Sequence, residues 1–74
     1  MSLLNIVNKF CAFNNFLPWQ LYGSNKEVIV RYNSDESSEF YNFLSKVAIL
    51  SSRGLVSTTI HPSENKIVII KGCK

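Results

Sequence analysis

The segment Lys66-Ile67-Val68-Ile69-Ile70-Lys71 is apolar on both faces of an extended chain and carries a lysine at each end. A strand of this kind belongs inside a sheet covered on both sides, because at an edge it would leave isoleucines and unpaired backbone groups in water. Two further segments offer it neighbours. Residues 26–32 alternate, with Val28, Val30 and Tyr32 on one side and Glu27, Ile29 and Arg31 on the other. Residues 55–61 set Val56, Thr58 and Ile60 against Leu55, Ser57, Thr59 and His61, a β-branched pattern suited to a strand. Pro62-Ser63-Glu64-Asn65 supplies the turn chemistry that closes a hairpin onto the strand at 66–71.

The other periodic segments are helical. In residues 3–17, Leu3, Ile6, Val7, Phe10, Phe13 and Leu17 recur at helical spacing, Ser2 stands where an N-cap belongs and Pro18 excludes the helical conformation at Leu17. Two residues break this pattern. Phe16 falls on the polar side, and Asn14 lies within the apolar arc, either as a polar group at a helix interface or as a buried one bonded to the backbone. A second helix is expected over residues 35–52, capped by Asn33 or Ser34, with Phe40, Phe43, Leu44, Val47 and Leu50 inward and Gly54 as a left-handed C-terminal cap. Residues 18–25 read as a connection rich in aromatic and apolar groups.

The expected fold is therefore α+β, a single domain over residues 1–74 in the order helix, strand, helix, strand, strand. A right-handed crossover through the second helix makes the first two strands parallel. Inserting the last strand between them gives a three-stranded mixed sheet of order 1-3-2, a split β-α-β arrangement packed by two helices. The first helix then covers the second face or packs beside the other helix. In the latter case that second face is open and must be an interface.

With 74 residues and 46% hydrophobic composition, one core of this size supplies roughly 3–5 kcal/mol. Cys11 and Cys73 allow one bridge at most, far from a disulfide scaffold, and free thiols in a cytoplasmic setting are the simplest reading. The N-terminal residues lack a signal peptide's cationic start and read as mature sequence. No apolar run approaches the ~20 residues that span a bilayer.

Catalytic and cofactor chemistry finds no support. The one histidine, His61, has no partnered nucleophile and carboxylate in sight. Two separated cysteines and one histidine lack zinc-ligand spacing, and Gly23, Gly54 and Gly72 form no phosphate loop. Asp35, Glu36 and Glu39 fall in a helix's first turn, where the macrodipole accounts for them. No catalytic residue, metal site or cofactor is expected.

Binding remains. Eight Lys and Arg against five Asp and Glu give a net charge of +3 without any basic cluster, short of a nucleic-acid footprint. The strand at 66–71 lacks the aromatics on which RNA-recognition sheets stack bases. Lys66, Lys71 and Lys74 are the expected contacts to a phosphate backbone or an acidic partner. Phe16, Trp19, Leu21, Tyr22, Tyr41 and Ile49 are left over once the core stripes are assigned; aromatics of this kind enrich interface cores, and Phe16, Trp19, Tyr22 and Tyr41 are the expected partner contacts. For Trp19 and Tyr22 the favoured reading is a lid that closes the end of the core, with an exposed hot spot as the alternative. The expected function is a non-enzymatic regulator or inhibitor that docks on a larger intracellular protein and self-associates, for which phages and mobile elements are one setting. The alternative is a small basic accessory protein that binds nucleic acid.

Overall fold

The computed structural model describes residues 2–33 and 38–72. Helix α1 (Leu3–Phe13) leads to strands β1 (Gln20–Gly23) and β2 (Glu27–Arg31), helix α2 (Ser38–Ser52), strand β3 (Val56–His61), a 3-10 turn (Pro62–Glu64) and strand β4 (Lys66–Lys71). The sheet order is β1-β2-β4-β3, and every neighbouring pair is antiparallel. The doubly apolar strand lies inside the sheet, between β2 and β3, and the crossover through α2 leaves these two strands parallel in direction. The expectation of three strands in a mixed sheet is corrected. Residues 20–23, expected as connection, pair with β2 as a fourth strand, and the sheet is antiparallel throughout. The expected helix start at 35, the alternative cap Ser34, the acids Asp35 and Glu36, Cys73 and Lys74 lie outside the described residues.

Both helices cover the same face. Leu3, Val7 and Cys11 of α1 and Phe40, Phe43 and Val47 of α2 form one buried cluster with Val28, Val30, Ile67, Ile69 and Val56 of the sheet. Side chains alternate along a strand, so the intervening residues Ile29, Val68 and Ile70 stand on the opposite face, which no element covers among the described residues. The expectation that β4 is covered on both sides is thereby overturned, and the open-face arrangement holds instead.

The first helix ends four residues earlier than its apolar spacing predicts. Ser2 caps its start as expected, accepting from the Asn5 amide at 3.2 Å. At the other end Asn15 adopts φ 55°, the Asn15 amide donates to the Ala12 carbonyl at 3.2 Å, and the Phe16 amide donates to the Cys11 carbonyl at 2.9 Å. This is a Schellman motif with asparagine in the left-handed position usually held by glycine. Asn14 meets the backbone-bonding alternative, its Nδ2 donating to the Phe10 carbonyl at 2.8 Å. The same motif closes α2, where Gly54 at φ 75° donates to Ser51 and Leu55 to Leu50, as its glycine predicted.

The left-handed residue reverses the chain and exchanges inside for outside. Phe16, expected to point away from the core, is buried and stacks on Phe43 with ring centroids 5.1 Å apart, 5.5 Å from Phe40. Phe13 and Leu17, assigned by periodicity to the core, are 82% and 88% exposed. The helical phase ceases to govern side-chain direction once the helix has ended.

Burial of Cys11 raises its thiol pKa from 9.0 to about 11. The folded chain then holds this proton at pH values where the unfolded chain releases it, so its contribution to stability is complete below pH 9 and is lost as the pH rises toward 11. Cys11→Val is expected to flatten that alkaline decline in chemical-denaturation curves. An unchanged slope would assign the decline to other groups.

Candidate protein-docking face

The uncovered side of the sheet is ordered in rows. Strand register sets Tyr22 of β1 opposite Ile29 of β2, Ile29 opposite Val68 of β4 and Val68 opposite Thr59 of β3, an apolar band across the sheet with a threonine at one end. Ile29 and Val68 are half-buried by their neighbours, while Tyr22 and Ile70 stay exposed. The next row in the same register is Gln20, Arg31, Lys66 and His61. Arg31 and Lys66 are thus directly opposite each other on one face. Like charges so placed repel, by a few tenths of a kcal/mol or more.

Local partners temper that repulsion. The Arg31 guanidinium carbon lies 5.9 Å from the centroid of the Trp19 ring, a cation–π distance. Lys66 Nζ is 3.8 Å from Glu64 Oε1, and His61 Nδ1 is 3.8 Å from Glu64 Oε2. Glu64 reaches the row from the 3-10 turn, where Asn65 at φ 50° starts the return into β4. Trp19, Arg31, Tyr32, Asn33, Glu64 and Asn65 enclose a depression of about 360 Å³ at this end of the sheet. The face therefore presents an apolar band beside two cations, Arg31 against Trp19 and Lys66 against Glu64.

The residues expected to recognise partners do not all converge here. Trp19 and Tyr22 do: Trp19 is 64% exposed and is not a lid on the core. Tyr41 is exposed on α2, its ring 5.5 Å from that of Phe40, and belongs to the helical layer. Phe16 is buried. Lys66 lies on the open face, whereas Lys71 pairs with Val56 and lines a separate 570 Å³ depression with Leu3, Ile6 and Leu50. The basic residues thus divide between two surfaces. Arg31, Ile29, Val68 and Ile70 were not singled out from the sequence. Their signal was present in the strand alternation, which already set Ile29 and Arg31 opposite Val28 and Val30.

No protein-family model, curated protein or solved structure matches this chain. Among the described residues no group of histidine, cysteine and carboxylate side chains is arranged to hold a metal ion, and no helix is long and apolar enough to cross a membrane.

Proposed function

We propose that the protein is a docking module whose open sheet face binds a protein surface with an apolar centre and carboxylates at its rim, acting as a regulator or inhibitor of that partner. The observation that carries this reading is the pair of adjacent rows on one uncovered face, Tyr22–Ile29–Val68 and Arg31–Lys66. Apolar area supplies the driving force, about 25 cal/mol for each Å² removed from water. The opposed cations supply orientation and preference, because a partner carboxylate relieves a repulsion that the free protein retains. Trp19 beside Arg31 is the aromatic and arginine combination from which interface hot spots are most often built.

The test uses the partner captured by the folded protein from its host and then purified. Val68→Asp and Arg31→Glu, both on the open face, are each expected to weaken its affinity by about tenfold or more, or ~1.4 kcal/mol, with far-UV circular dichroism unchanged. The affinity should also fall with added salt. Binding by both variants at the level of the unsubstituted protein would overturn the reading. Salt-sensitive retention on heparin that Arg31→Glu abolishes, with no protein partner affected, would assign the face to nucleic acid instead.

A further inference from the structure

Natural sheets protect their edge strands by shortness, charge, proline, bulges or a covering element. The two edges here differ. Strand β1 has four residues and ends at Gly23. Strand β3 has six, Val-Ser-Thr-Thr-Ile-His, paired with β4 in unbroken register from Val56 to His61. It contains no proline, lysine or carboxylate and no bulge, and its outer side is uncovered among the described residues.

The helix beside this edge continues it. Leu44, Ala48 and Ser51 recur along α2 at helical spacing and, with Val47, Thr58 and Ile60, line an apolar depression of about 280 Å³. Ser51 Oγ and Thr58 Oγ1 lie 2.9 Å apart and tie the helix to the strand. Ile60 is 46% exposed at the edge of this depression, and the same helical row extends to the exposed Tyr41. The core thus does not end at β3 but opens sideways between α2 and the free edge.

We infer that the free edge of β3 pairs antiparallel with β3 of a second copy, joining two four-stranded sheets into one eight-stranded sheet. Charge selects this occupant. The chain carries +3, so two copies repel on average. Val56 to Ile60 and the row Leu44, Ala48, Ser51 hold no charged residue, and the edge is a surface where identical chains meet without opposing cations. The pairing is also self-complementary. Residues directly opposite in a ladder share a face, so a twofold axis through the sheet brings Val56, Thr58 and Ile60 of one copy against the same residues of the other. Both helical layers then lie on one side, β-branched residues pair across the junction, and each depression is closed by the other copy's Ile60. This arrangement leaves the open faces of both copies exposed side by side.

Sedimentation equilibrium of the full chain should give twice the mass of one 8.4 kDa protomer. Hydrogen exchange should show amides of β3, and not those of β1, slowing as the concentration rises. Ala48→Arg, at an exposed helical position, and Ile60→Lys should each return the mass to that of one protomer with the circular dichroism spectrum retained. A single-protomer mass at every concentration would overturn the inference. So would a dimer that survives in whichever of these variants folds, or one whose concentration-dependent protection falls on β1 or the open face. Loss of partner binding by Val68→Asp bears on the docking face alone, so the two readings fail separately.

Discussion

Phe16→Ala is expected to bring folded and unfolded molecules to comparable populations at room temperature, while Phe13→Ala, three residues earlier, is expected to change stability by no more than about 0.5 kcal/mol. The two phenylalanines flank the reversal at Asn15. Phe16 is buried with its ring against Phe40 and Phe43 of α2, and truncating such a side chain costs about 3–5 kcal/mol through lost transfer energy and an unfilled cavity. A core of this size supplies roughly the same amount in total. Phe13, at 82% exposure, has little burial to lose. Urea titration of the two variants checks the contrast, and comparable midpoints would mean that the reversal does not set which ring enters the core.

The second large effect is expected at Gly23, where β1 turns back toward β2. Its φ of 150° is one that side-chain-bearing residues rarely adopt, and an added Cβ would collide with the Glu27 carbonyl oxygen and lie 2.7 Å from the Val28 Cα. Those atoms are backbone and cannot swing aside. The Glu27 carbonyl also accepts from the Ser24 amide at 2.7 Å, so relieving the clash breaks the bond that closes the hairpin. Gly23→Ala should therefore cost at least ~1–3 kcal/mol, the usual range for a residue held in a disfavoured backbone region. It should also detach β1 selectively. Amide exchange is expected to accelerate over residues 20–23 and at their partners on β2, with β3 and β4 less affected. Because β1 carries Tyr22, the same substitution should weaken partner binding, and unchanged exchange in β1 would remove the structural role given to this glycine.

The parts of the fold legible in the sequence are those governed by local periodicity together with one nonlocal constraint. Alternation located β2 and β3 to within a residue or so at either end, and the doubly apolar hexapeptide located β4 and its interior place. Gly54 marked the end of α2 because only a few residue types accept the left-handed conformation without cost. Three features were hidden for identifiable reasons. Asn15 performs the same function as Gly54 with a less distinctive residue, so the helix seemed to run on to Pro18. Strand β1 is four residues containing one aliphatic side chain, too short for alternation to show. The bareness of the second face depends on where α1 packs, and its amphipathic pattern specifies that it buries a stripe without specifying against what.

The candidate site was partly legible for the same reasons. Trp19 and Tyr22 stood out as apolar residues in excess of the core. Arg31 and Lys66 did not, because 35 positions separate them in the chain and only the β2–β4 register sets them face to face. A charge pattern assembled by strand pairing leaves no run or cluster in the linear sequence.

The bare face also divides the information carried by β4. Ile67 and Ile69 look into the helical layer and answer to folding, whereas Val68 and Ile70, between and beside them, look outward and answer to whatever the face contacts. One hexapeptide thus holds two interleaved messages with separate readers. Saturation substitution along it should split by parity: changes at 67 and 69 lower the amount of folded protein, and changes at 68 and 70 leave that amount intact while altering recognition, so the partner changes over time without the scaffold being rewritten.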